Sequence, residues 1–168
     1  MHLLAGVPVM SSSADRTFGV VDAATLTSMA GVDFLRGWIE GRYPAAPIGK
    51  FMNGGLVEAE IGRVVFEGTP GPDHYNPIGS IHGGYAATLL DSCMGCAVHS
   101  VLKAGQAYTT LEIKVNYTRG MTHKTGLVRA EGKVINAGAR VGLAEGRLTD
   151  AQGRLLAWGS TTCMIFTP

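Results

Sequence analysis

The sequence predicts an α+β fold in which antiparallel strands wrap one long central helix. The segment HGGYAATLLDSCMGCAVHSVLKAG, from His82, is free of proline and apolar almost all round, so it reads as a helix with sheet on most sides. Two strand-like runs precede it and four follow, separated by glycine-bearing turns. At 168 residues the chain is long enough for one domain that buries about 70% of the surface exposed by its unfolded form.

Residues 1–20 have no hydrophobic period and read as a flexible N-terminal tail. Asp22 stands where it can cap a helix running to about Ile39, with Leu26, Met29, Ala30, Leu35 and Trp38 near helical spacing. Gly41, Pro44 and Pro47 end it, so residues 21–50 form a helix and a Pro-containing linker ahead of a main domain over residues 51–168. From Leu56 the run LVEAEIGRVVFEGT divides about Gly62 into a hairpin, and PGPDHYNPIGS follows as a loop. The central helix closes at Lys103 and Gly105. Four strands complete the chain, AYTTLEIKVNYTR, GLVRAEGKVI, ARVGLAEGRLT and RLLAWGSTTCMIF, with turns at Gly126, at Asn136 and Gly138, and at Asp150 and Gly153.

Charge narrows the function classes. Lys and Arg number 14 against 13 Asp and Glu, a net charge of +1, and no basic excess marks a nucleic-acid groove or an anionic membrane surface. The stretch from Ser80 to Leu102 is long enough to span a bilayer, but it carries Asp91, His82 and His99, so no membrane partner is expected. The charged fraction is 16%, below the roughly 25% typical of soluble domains, which points to an oligomer that hides part of its surface. Three cysteines, an odd number, and an N-terminus MHLLAGVPVM without the basic flank of a signal peptide point to a reducing, cytoplasmic location.

Asp91 is the most informative residue, being the only Asp, Glu, Lys or Arg between Ser80 and Leu102. Its neighbours one turn away are Ala87, Thr88, Met94 and Gly95, an apolar and small face. Burying an unpaired carboxylate costs several kcal/mol, so its place there signals a functional group, an aspartate tied to a nearby Ser or Thr hydroxyl, or a locally exposed helix position. His82, Gly83 and Gly84 open the same helix, where free N–H groups and the absence of side chains suit an anion or an oxyanion; the competing reading is a tight loop-to-helix turn. With Asp91 just over two turns beyond Gly83, the pattern suits hydrolysis of an activated acyl group. Asn76, six residues before His82, could orient a water or serve only as a turn residue. Cys93 and Cys96 form a CxxC deep inside the helix rather than at its start, and Cys163 is the only other thiol, so they read as buried small hydrophobes and not as a redox or zinc site. His99 and His123 read as packing or surface residues.

The run NPIGSIHGGYAATLLDSCMGCAVHS, followed by YTTLEIKVNYTR and by GRLTDAQGRLLAWGSTTCMIF, resembles the hotdog-fold acyl-CoA thioesterases of the PaaI type, in the 4-hydroxybenzoyl-CoA thioesterase-like superfamily. The resemblance spans about residues 54–166. It implies a curved antiparallel sheet around the helix, a homodimer with two sites at its interface and assembly to a homotetramer. The implied substrate is an acyl-CoA, with no metal or other cofactor. By position Asp91 matches the catalytic carboxylate, as general base or nucleophile, Gly83 the residue whose N–H polarises the carbonyl, and His82 and Asn76 the polar residues beside it. A Ser or Thr from the other subunit is matched best by Thr110 and next by Thr109. Gly84 adjoins the carbonyl, and Arg119 and Arg140 are candidates for the coenzyme A phosphates or plain surface charges. Tyr85, Leu89 and Met94 divide between an acyl channel and core packing. The rivals are a non-catalytic acyl-CoA-binding domain and a hydratase or dehydratase acting on a thioester.

Overall fold

The computed structural model describes residues 17–168; most of the expected tail lies outside them. From Thr17 the chain runs beside Ala45, whose N–H donates to the Thr17 carbonyl while its own carbonyl accepts from Gly19. The helices are α1 (Ala23–Thr27), α2 (Gly31–Ile39), α3 (Gly49–Met52) and α4 (Gly83–Ser100). The strands are β1 (Gly54–Glu60), β2 (Arg63–Gly68), β3 (Ala107–Tyr117), β4 (Val128–Ala137), β5 (Val141–Asp150) and β6 (Leu155–Phe166). They form one six-stranded sheet of order β1-β2-β4-β5-β6-β3, every pair antiparallel. The sheet curves around α4, which touches all six strands, and this is the hotdog architecture. Register shifts near Val57, Leu111, Ile135 and Leu148 supply local bends, since an extra residue in one strand increases its twist.

Glycines let α4 lie close to the sheet. Gly132, Gly146 and Gly159 are register partners across β4, β5 and β6. A Cβ on Gly132 would stand 2.3 Å from the Cys93 carbonyl oxygen, and one on Gly146 2.8 Å from Met94 Cγ. Above this line Tyr85, Leu89, Leu90, Cys93, Met94, Ala97 and Val98 are wholly enclosed. Tyr85, Leu89 and Met94 are therefore core residues, the packing alternative. Enclosure also pushes the Cys93 thiol up, so the CxxC holds a neutral, inert thiol at that position.

The single helix expected from Asp22 to Ile39 is broken into α1 and α2. Asp22 caps α1 through Thr25 as predicted. The break follows from Thr27 and Ser28, whose hydroxyls donate back to the carbonyls of Ala23 and Thr25, and from Gly31, whose N–H donates to Leu102. Gly31 lies on the His99 carbonyl, where an added Cβ would be 1.8 Å from the oxygen. That close crossing turns α2 onto α4, and Phe34, Leu35 and Met52 join the common core. The central helix stops at Ser100, a few residues before Lys103 and Gly105, and Gly105 takes the positive φ of the turn that follows.

Candidate active site

One strip of α4 stays open. Gly83, Gly84, Ala87, Thr88, Asp91, Ser92 and Cys96 are only partly covered, at the spacing of one helix face, while the rest of the helix is enclosed. Asp91 is thus half-buried, not sealed in the core. Its Oδ1 accepts a 3.1 Å hydrogen bond from the Thr110 hydroxyl. Thr110 reaches it because β3 is bulged at Leu111, a feature that re-aims side chains. Thr109, exposed beside Met164, makes no such contact. Thr110 therefore meets Asp91 of its own chain, which corrects the expectation that this hydroxyl comes from the other subunit. Around the carboxylate the walls are uncharged: burial, with the Asp91 charge adding to it, pushes the Cys96 thiol up to about 12 and the Tyr108 phenol well up.

The start of α4 is built differently. His82 caps the helix, its Nδ1 accepting from Gly84 N–H at 2.8 Å, so Gly84 has no free donor for a ligand. The Gly83 N–H donates to no group among the described residues and is the open donor of this turn. Gly83 lines a cavity of about 320 Å³ together with Ile81, Tyr117, Thr118, Arg119, Gly120 and Met121. Arg119 is thereby brought to the helix N-terminus. Arg140 is not: it lies in the β4–β5 turn, where its carbonyl accepts from Ile165.

Asn76 closes its own loop. Its Oδ1 accepts from the N–H groups of Ile78 and Ser80, and its Nδ2 donates to the Ser80 hydroxyl, which is the turn alternative. The loop is pinned on both flanks. His74 bridges the Gly71 N–H and the Phe51 carbonyl, and the Tyr75 hydroxyl meets His123 Nδ1 at 2.8 Å. Sequence reasoning missed Tyr117, whose hydroxyl donates to the Gly83 carbonyl at 3.1 Å. The contact joins residues 34 apart, and no local pattern announces it. Among the described residues no three His, Cys, Asp or Glu side chains gather as a metal site.

Asp91 and Gly83 are eight residues apart on one straight helix, a rise of about 12 Å. In one chain the two groups are thus more than two helical turns apart. β3 pairs only with β6, its other side is unpaired among the described residues, and it exposes Leu111, Ile113 and Tyr117.

A family model of the thioesterase superfamily matches residues 78–157. A Saccharolobus solfataricus protein, named as a candidate esterase, is 32% identical over 112 residues, covering 66% of this chain and 77% of that one. A Halobacterium salinarum protein, also named as a candidate esterase, is 39% identical over 69 residues; the match takes in 40% of this chain and 44% of the relative's length. Among solved structures, a candidate thioesterase from Ralstonia eutropha, named as phenylacetic acid degradation-related, superposes with a TM-score of 0.71 at 22% identity, covering 78% of this chain and 98% of its own. A Streptococcus mutans protein solved bound to acetyl CoA gives 0.63 at 24% identity, with coverages of 70% and 91%.

Proposed function

The chain belongs to the thioesterase superfamily, and from that premise we propose that it hydrolyses an acyl-CoA to a free carboxylic acid and coenzyme A. The observation that carries the reading is the Asp91–Thr110 pair on the open strip of α4, with the unpaired Gly83 N–H about 12 Å away. In this proposal two chains pair β3 against β3 about a two-fold axis near Ile113. That pairing carries the Gly83 and Tyr117 end of one chain to the Asp91 and Thr110 end of the other. Each site then takes its carboxylate and hydroxyl from one protomer and its carbonyl donor from the partner. Pairing of two such dimers would make the homotetramer.

Thr110 occupies Oδ1 and leaves Oδ2 to take a proton from water as the water oxygen attacks the thioester carbon, which favours the general-base role for Asp91. The carbonyl oxygen becomes an oxyanion held by Gly83 N–H. Collapse of the tetrahedral adduct breaks the carbon–sulfur bond, and the coenzyme A thiolate leaves with the proton returned from Asp91. His82 supports this step by capping the helix, and Asn76 by shaping the loop. The chemistry as written asks for no metal or cofactor. A coenzyme A ester as substrate is supported by the acetyl CoA bound to the Streptococcus mutans neighbour, and Arg119 is the cation that lines the cavity beside Gly83. Three free thiols fit a cytoplasmic setting. No helix among the described residues is long and apolar enough to cross a membrane.

The test is thiol release from short, long and aromatic acyl-CoAs, in buffer with and without EDTA. The proposal expects turnover with at least one class and no effect of the chelator. Tight acyl-CoA binding without thiol release would instead establish a non-catalytic binding domain, and water addition to an enoyl-CoA a hydratase.

A further inference from the structure

We propose that Tyr117 is a positioning residue that holds the Gly83 peptide in register for the thioester carbonyl. The inference rests on the thioesterase reading for its kinetic consequence but not for its structural one. The start of α4 faces a conflict. Gly83 must lack a side chain if a carbonyl is to approach its N–H, yet two consecutive glycines are the least rigid way to begin a helix, each costing about 1 kcal/mol relative to alanine. An oxyanion donor works through preorganisation, so a loose first turn would forfeit the effect. The chain resolves this from outside the helix. His82 Nδ1 takes the Gly84 N–H, and the Tyr117 hydroxyl donates to the Gly83 carbonyl, so the peptide that joins the two glycines is held at both its oxygen and its nitrogen. The Tyr117 ring also covers the Gly83 Cα, standing 3.0 to 3.2 Å from where a Cβ would be. The ring and Gly83 share the wall of the same cavity, so the clamp sits beside the place the thioester would occupy.

Within the protomer Tyr117 lies at the end of the edge strand β3 and is 56% exposed, so the protomer's own core packing does not account for it. Tyr117→Phe keeps the ring and removes only the donor. The expected result is a kcat lowered about five- to tenfold, with KM within twofold, an unchanged Tm and an unchanged oligomer mass. Backbone hydrogen exchange at Gly84, whose N–H is held by His82 Nδ1, followed by NMR in the same variant, should quicken by at least a similar factor. An unaltered exchange rate would overturn the clamp. Faster exchange with unaltered kcat in an active enzyme would show a rigid turn without a catalytic consequence and overturn the positioning role. Should the wild-type protein release no thiol from any acyl-CoA, the thioesterase reading falls, and the exchange comparison still decides whether Tyr117 orders the turn.

Discussion

At the scale of single residues, Asp91 and His99 show how the same helix tolerates two polar groups for opposite reasons. Asp91 lies on the open strip, partly exposed, with the Thr110 hydroxyl donating to one oxygen. Asp91→Asn should cut kcat by a hundredfold to ten-thousandfold while leaving Tm and acyl-CoA binding close to wild type; full activity in that variant would end its role as base. Thr110→Val should cost about tenfold, checked in the same thiol-release assay. His99 is enclosed among Phe34, Tyr108 and the Gly31 backbone, with neither ring nitrogen bonded. Burial lowers its pKa to about 4, from an ordinary value of 6.5. Between these values the unfolded chain binds a proton that the folded chain refuses. Stability is therefore intact above pH 6.5 and falls by about 3 kcal/mol as the pH drops to 4. His99→Leu should raise Tm more at pH 5 than at pH 7.5, and equal gains at both values would contradict this account.

At the scale of elements, the fit of α4 to the sheet depends on side chains that are missing. Gly132→Ala would drive a methyl into the Cys93 carbonyl region, a backbone atom that cannot swing away. The expected loss is about 3 kcal/mol by denaturant titration, the upper part of the range for overpacking. Gly120→Ala, with nothing near its Cβ, should change stability little in the same experiment. The first turn of α4 obeys a related rule, because its glycines expose an N–H but need outside partners to hold it still. The bulge in β3 places Thr110, and so a defect in strand regularity helps to form the site.

At the scale of the whole molecule, the helix rise of about 12 Å between Gly83 and Asp91 is the reason the proposed site draws on two chains. Asp91→Asn and Gly83→Val, each nearly inactive alone, should complement when unfolded together, mixed and refolded. Random pairing makes about half of the dimers mixed, and each mixed dimer holds one intact and one doubly altered site. About a quarter of wild-type activity should return. Asp91→Asn mixed with Thr110→Val should return none beyond the sum of the two, because both changes fall on the same chain's half of the site. Activity restored by the second mixture and not by the first would reverse the assignment of residues to protomers.

The sequence by itself determined the order of the six strands about the central helix, that helix, and the two groups worth watching on it, though not the division of the N-terminal segment into three short helices. These are written in local patterns, the period of apolar residues, the turn glycines and a lone carboxylate in a segment without other charge. It also determined the family, through Asn76, His82, Gly83, Gly84 and Asp91 at fixed separations. Only the tertiary structure decided that Asn76 closes its own turn, that Thr110 rather than Thr109 meets Asp91, that Arg119 but not Arg140 approaches the helix N-terminus, and that Tyr117 clamps Gly83. The Asn76 turn is local, whereas the other outcomes depend on strand register, and that of Thr110 also on a bulge, where a slip of one residue sends a side chain to the opposite face of the sheet. Register is settled by packing between segments far apart in the chain, and no short window of sequence contains it.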